Sequence, residues 1–338
     1  MKEVYPWNLE AWNSLNGLRT HLPNALLIKG AAGIGKLDMA INFAQSLLCE
    51  TPNEQGLPCC ECDSCRWFEQ GVHPDFRLVQ PDILNITEDS SEKEGGKKPS
   101  REISVDQIRA LANFANLTAH RGGYRIILIH PAEAMNSNSA NAVLKTLEEP
   151  TDKLLFVLVT HKPQQLLPTI LSRCLSLTVK TPSIDTGAEW LKQQGVSNPE
   201  NALSQSGFAP LQALHLAEDG EGTEERNILL SAITRPTQLD ALSLADKLQR
   251  SQPVLIIHCL QQWCYDLAST KLTGQARYFP EKLDELKKLS ANISCMRLLG
   301  YQRELSTAKR EAFHPLNPKL QFESILLSYR QMFSSSSV

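Results

Sequence analysis

Apolar residues along this chain change period several times, and each change marks an element. Ala25-Leu26-Leu27-Ile28-Lys29, Tyr124-Arg125-Ile126-Ile127-Leu128-Ile129 and Leu154-Leu155-Phe156-Val157-Leu158-Val159 are short apolar runs, and Leu78-Val79 is a shorter one. Runs of this length predict buried strands of an α/β sheet. Between them the period turns helical. Met39, Ala40, Phe43, Ala44, Leu47 and Leu48 form one apolar stripe, and the chain after Ile103 begins another helix. Residues 182–219 read as a small helical segment with apolar patches at Ala188-Glu189-Trp190-Leu191 and Ala202-Leu203. Beyond the Gly220-Glu221-Gly222-Thr223 linker the spacing is helical throughout. Leu239, Leu244 and Leu248, then Ile256, Leu260 and Trp263, and finally Phe322, Ile325 and Met332 carry it. The segment from Asp82 to Arg101 is polar, glycine-containing and of mixed charge, so it predicts a surface loop.

Composition adds bounds. With 338 residues the chain should hold about two or three domains. The 42% hydrophobic fraction is enough to fill real cores, and the formal charge is only −3, from 34 basic and 37 acidic residues. That balance argues against a protein gripping nucleic acid by itself through a basic face. No apolar run approaches the roughly 18 residues of a membrane span. The start, Met1-Lys2-Glu3-Val4-Tyr5-Pro6-Trp7, lacks the apolar segment of a signal peptide, so the expected location is cytoplasmic. Nine cysteines in such a chain point to metal binding or burial rather than disulfides.

Three features carry candidate chemistry. The first strand runs into Gly30-Ala31-Ala32-Gly33-Ile34-Gly35-Lys36-Leu37 and then a helix. Strand, glycine loop and helix in this order are a P-loop, with Gly30, Gly33, Gly35 and Lys36 shaped to hold phosphates. The position after the lysine should offer a hydroxyl to Mg²⁺, and Leu37 offers none. The strand 124–129 should end in acidic residues that hold Mg²⁺ and polarise water. It ends in His130-Pro131, and Glu133 lies three residues further than that task requires. The loop is therefore read as a folded cradle that does not bind ATP productively.

The second feature is a cysteine cluster after that helix. Cys59-x-x-Cys62-x-x-Cys65, with Cys49 from the helix end, offers four thiolates for a closed structural Zn²⁺ site. Cys60 competes with Cys59 as ligand, but only Cys59 keeps the even spacing to Cys62. His73 is a substitute ligand to consider, against the plainer reading of a loop histidine. The third feature is Pro168-Thr169-Ile170-Leu171-Ser172-Arg173-Cys174, which follows the longest apolar strand and carries one arginine. A guanidinium is always charged and forked, which suits phosphate better than an ammonium does.

Asn138-Ser139-Ala140-Asn141-Ala142-Val143-Leu144-Lys145-Thr146-Leu147-Glu148-Glu149-Pro150 and Ser172-Arg173-Cys174, with the cysteine cluster, closely resemble the clamp-loader branch of the AAA+ family. The resemblance covers most of residues 1–215 and more weakly the remainder. It implies an α/β P-loop (AAA+-like) domain over 1–180 with an inserted zinc module near 49–65. A small helical lid domain over 181–219 and an all-helical collar domain over 220–338 would follow. It implies a non-hydrolysing member of a hetero-pentameric ring that loads a sliding clamp onto primed DNA. Arg173 would be a trans arginine finger for a neighbouring motor subunit, with Ser172 and Cys174 positioning its loop. Thr160 matches the first sensor position. Gln212, in Ser206-Gly207-Phe208-Ala209-Pro210-Leu211-Gln212, stands where active relatives carry the second-sensor arginine. Two other readings remain: an active P-loop ATPase with an unusual metal shell, and a zinc-dependent nucleic-acid binder.

Overall fold

A computed structural model describes residues 4–85, 99–116, 118–120, 123–219, 223–312 and 317–334. Most of the polar segment read at 82–101, residues 220–222 of the linker and the last four residues of the serine-rich tail lie outside them. By internal contacts the chain divides into two compact units, residues 1–187 and 188–338.

In the first unit the apolar runs become strands β1 (Ala25–Lys29), β2 (Phe76–Val79), β3 (Arg125–Ile129) and β4 (Leu154–Thr160). A fifth strand, β5 (Leu175–Thr178), has no counterpart among the apolar runs. All pairings are parallel, in the order β2-β3-β4-β1-β5. Alternate residues of β1, β3 and β4 supply one core: Leu27, Ile127, Ile129, Phe156 and Leu158 pack with residues of α4 (Val105–Asn116) and α5 (Ser137–Glu148). The intervening residues Leu26, Ile28, Ile126, Leu128, Leu155 and Val157 are equally buried. Helix α2 (Lys36–Leu48) packs on β1, β3 and β4. A sheet covered on both faces needs strands that are apolar at every position, which is why the runs are continuous rather than alternating.

Local chemistry sets the helix ends. Asn136 caps α5 by accepting from the Ser139 amide at 2.9 Å, and Ser139 Oγ donates to Ile103 O at 2.8 Å. Such a cap is worth about 1 kcal/mol. Arg125 is buried at the start of β3. Its guanidinium donates to the Phe114 and Ala115 carbonyls at the end of α4, and to Thr151 Oγ1 and Asp152 O. A cation on the last carbonyls of a helix satisfies them and suits the helix dipole.

The crossovers leaving the neighbouring strands β1 and β4 run to opposite sides of the sheet. After β1 the chain crosses to the far edge at β2; after β4 it crosses β1 to reach β5. The crevice at the carboxyl ends of such neighbouring strands is where open α/β sheets place their ligands. Register brings those ends level: Lys29 lies opposite Thr160 and Thr178. The remaining helices of this unit are α1 (Leu9–Gly17), α3 (Asp63–Glu69) and α6 (Pro168–Leu171).

The second unit is helical, following α7 (Ile184–Gln193), which spans the division. Helices α8 (Pro199–Gln205) and α9 (Pro210–Asp219) share a small core of Leu191, Leu203, Phe208 and Ala213. A larger core is built by α10 (Thr223–Ile233), α11 (Ala241–Leu248), α12 (Pro253–Thr273), α13 (Leu283–Ala291), α14 (Cys295–Glu311) and α15 (Pro318–Phe333). The segments read as lid and collar carry these two separate cores within residues 188–338. Cys259 and Cys264 are buried in the larger core. Trp263 Nε1 donates to Tyr329 Oη at 2.9 Å, and Tyr329 Oη donates to Ile233 O at 2.9 Å, tying α12, α15 and α10 together. Among the described residues no helix is long and apolar enough to cross a membrane.

Candidate functional site

The glycine loop sits at the carboxyl end of β1, as the strand–loop–helix order requires. Gly35 has φ +81°, and a Cβ there would overlap the Tyr5 ring. Only glycine tolerates both conditions. The segment before α1 covers the loop: Asn8 Nδ2 and Trp7 Nε1 both donate to Ile34 O, at 2.9 and 3.0 Å, and Tyr5 Oη donates to Asp38 Oδ2 at 2.9 Å. Sequence reasoning missed this cover, although the aromatic pair Tyr5 and Trp7 was its signal.

Lys36 is 2% exposed. Its ammonium donates to Gly30 O at 2.9 Å and to Ala31 O, carbonyls of the loop itself. Burial pulls its pKa down to about 8, with Glu133 acting in the opposite sense. The ammonium thus lies against carbonyls of its own loop. Leu37 follows it on α2 with no oxygen to offer.

The second altered position lies across the crevice. His130 follows β3 and His161 follows β4, and their Nε2 atoms are 3.2 Å apart. The Gln80 side-chain amide stands 3.1 Å from His130 Nδ1. Burial, then the neighbouring His161, lowers the His130 pKa to about 4; burial, then Lys36, lowers that of His161. Both rings are therefore neutral at pH 7. Glu133 is engaged elsewhere: its carboxylate accepts from Thr160 Oγ1 at 2.7 Å and from the His161 amide at 3.1 Å. Thr160, at the end of β4, thus serves as donor to Glu133. His161 and Gln80 carried no sequence signal.

The four cysteines meet. Cys49 caps α2, Cys59 lies in the following loop, Cys62 caps α3 and Cys65 lies in its first turn. Their sulfurs all lie within 4.8 Å of one another, with Cys49–Cys59 at 3.4 Å and Cys49–Cys62 and Cys59–Cys65 at 4.0 Å. A tetrahedron of bonds about 2.3 Å long separates its sulfurs by about 3.8 Å, so the set fits one metal ion. Three amides point at these sulfurs: Cys59 N to Cys49, Cys62 N to Cys59 and Cys65 N to Cys62, at 3.3 to 3.4 Å. Such bonds favour the thiolate form that a metal needs.

Cys60 turns away. Its backbone has φ +62°, and its sulfur lies 3.6 Å from Pro58 O. His73 does not join the cluster either: Nδ1 accepts from the Asp75 amide at 3.0 Å and Nε2 lies 2.8 Å from Ser64 Oγ. Ser64 Oγ donates in turn to Leu48 O at 2.6 Å, one residue before Cys49. His73 therefore braces the two helices that bear the cysteines.

Arg173 follows α6 on the same unit. Nη1 donates to Thr169 O at 3.0 Å and Nη2 to Glu148 Oε1 at 2.6 Å. The Arg173 side chain remains 35% exposed. Ser172 Oγ donates to Thr169 O at 3.0 Å, which closes the turn beneath the arginine. Cys174 packs against the sheet core, and burial raises its pKa to about 11, so it is an inert thiol. Gln212 is exposed on α9 in the second unit.

The arrangement defines a P-loop α/β protein whose metal- and phosphate-handling positions are altered, with an exposed arginine beyond its longest strand. A family model for the DNA polymerase III delta subunit matches residues 13–183, and one for the C-terminal part of the delta subunit matches 221–331. DNA polymerase III subunit delta' of Pseudomonas aeruginosa is 39% identical over 230 residues, 67% of this chain and 64% of that one. The chain thus spans just under two thirds of that relative's length. The Yersinia pestis delta' subunit is 28% identical over 348 residues, 98% of this chain and 96% of the relative. DNA polymerase III subunit tau of Escherichia coli strain K12 is 32% identical over 235 residues, 70% of this chain and 30% of tau. The chain belongs to the delta-prime family of DNA polymerase III subunits.

Proposed function

We propose that this chain is a non-hydrolysing subunit of a DNA polymerase III clamp loader, active in DNA replication in the cytoplasm. Its partners are tau or gamma motor subunits and a delta subunit in a five-membered ring. Through that ring it contributes to ATP-driven loading of a sliding clamp onto primed DNA. It has no ATPase or polymerase activity of its own. Arg173 acts in trans on ATP held by a neighbouring motor subunit, with Ser172 and Cys174 fixing the turn that presents it. The cysteine set Cys49, Cys59, Cys62 and Cys65 holds a structural Zn²⁺, which ties the end of α2 to α3.

One contrast carries this reading: within one domain the groups that would hydrolyse ATP are gone, while a phosphate-seeking group stands exposed. Leu37 offers no metal ligand, and His130 and Pro131 replace the acids. Hydrolysis needs a bound Mg²⁺ held by oxygen and a group that orients water. Arg173 needs only a partner's phosphates. An arginine finger is worth roughly 10³ to 10⁵ in rate where it has been isolated.

The test is a reconstituted loader carrying Arg173→Ala, with pre-steady-state phosphate release and clamp loading measured. The site facing this subunit should drop out of the burst, and clamp loading should fall, with ring assembly and zinc content unchanged. An unchanged burst from an assembled ring would remove the finger assignment.

A further inference from the structure

We infer that Glu148 is a positioning residue for Arg173, holding the guanidinium in a presented conformation until a phosphate replaces the carboxylate. The inference rests on the trans-finger reading above and adds a second residue to it.

The two residues come from motifs 25 positions apart, one ending α5 and the other following α6. Their side chains meet at 2.6 Å, a direct charge-assisted contact. Glu148 is the last residue of α5, and Glu149 follows it. Carboxylates there face the negative end of the helix dipole, where a cation would be favoured. Helix formation therefore does not explain an acid at 148, whereas the nearby arginine does. A local rule is broken and the compensating contact is across the fold.

The rest of the geometry fits a holding role rather than a lock. Arg173 spends one Nη on Thr169 O and the other on Glu148, so the guanidinium is tethered at two points. Both partners are open to water, with side chains 35% and 50% exposed. An exposed pair of this kind is weak and readily exchanged. A polyphosphate offers several oxygens and more charge, and a guanidinium binds it in two-point fashion. Exchange from one carboxylate to a polyphosphate is thus downhill. Until then the pair removes the rotamer freedom that a long, unheld arginine would lose at the moment of capture.

The experiment uses the assembled loader and three variants, Glu148→Ala, Glu148→Gln and Arg173→Ala, with the double variant Glu148→Ala/Arg173→Ala. Phosphate release at the site facing this subunit, ATP affinity of the ring and thermal stability of the free chain are measured. Losing preorganisation alone should slow that release roughly 3- to 10-fold in Glu148→Ala. ATP affinity and stability should not move. Glu148→Gln should recover most of the rate, because its amide oxygen still accepts the same bond. The double variant should be no slower than Arg173→Ala, since residues acting through one another are not additive. If Arg173→Ala slows release and Glu148→Ala does not, the holding role is wrong and the finger reading survives. If the two losses add in the double variant, Glu148 acts elsewhere and the inference fails. If Arg173→Ala has no effect, the finger reading falls and this inference falls with it.

Discussion

Nε2 of His130 lies 3.2 Å from Nε2 of His161 across the crevice where β3 and β4 end. Two imidazoles at this distance share one proton, one ring donating and the other accepting. Neither can charge without facing its neighbour and Lys36, and both rings are partly buried. Where a working P-loop enzyme holds acids and a metal, this crevice holds two imidazoles in contact, with His161 Nδ1 buried and without a hydrogen-bond partner.

A pH dependence follows. His130 titrates at about 4 in the folded chain against 6.5 unfolded. Between these values the unfolded chain binds more protons, so stability is full above pH 6.5 and falls as pH drops toward 4. By linkage a single group shifted this far costs about 2 kcal/mol at pH 5 relative to pH 7. Urea unfolding at both pH values should show at least that loss, because burial also lowers the pKa of His258 to about 4 and lowers that of His161, and His130→Asn should remove only the His130 share. A stability independent of pH across this range would show that the pair is hydrated and charged.

The zinc assignment separates two neighbouring cysteines. Cys59→Ser should abolish zinc retention, and Cys60→Ser should keep one zinc per chain, because the Cys60 sulfur points to Pro58 O. Chelation of wild-type protein should lower its melting temperature, since a metal held by the sulfurs of Cys49, Cys59, Cys62 and Cys65 would cross-link the end of α2 to α3. Elemental analysis after gel filtration, with melting curves, decides it. Zinc retained by Cys59→Ser and lost by Cys60→Ser would reverse the ligand choice.

Tyr329→Phe tests the helical unit. The hydroxyl accepts from Trp263 Nε1 and donates to Ile233 O, both buried. Its removal leaves a donor and an acceptor unpaired, at about 1–3 kcal/mol each, so destabilisation of about 2–6 kcal/mol is expected. Chemical denaturation of the variant measures it. A cost below 0.5 kcal/mol, on the order of an ordinary surface change, would mean that water replaces the hydroxyl.

Strands β1, β3 and β4 were legible because burial on both faces demands apolar residues at every position. The glycine loop was legible because a close backbone turn demands glycine at set spacings. The cysteine set was legible because a tetrahedral ion demands thiolates at short loop intervals. β5 was not, because an edge strand with Leu175 half exposed carries no such demand. The sequence alone also established which chemical groups are missing: no fold can make Leu37 ligate a cation.

What it could not establish is which groups meet. Cys59 and Cys60 are adjacent in sequence and separate only through the left-handed turn at Cys60. Lys36 reads as a phosphate ligand, yet its burial against Gly30 O and Ala31 O decides where the ammonium goes. His130 and His161, 31 residues apart, become one pair only because β3 and β4 are neighbours in register. Arg173 finds Glu148 because α5 ends beside the turn after α6. Covalent order sets what each position can do, and packing sets which partner each polar group must take once water is excluded.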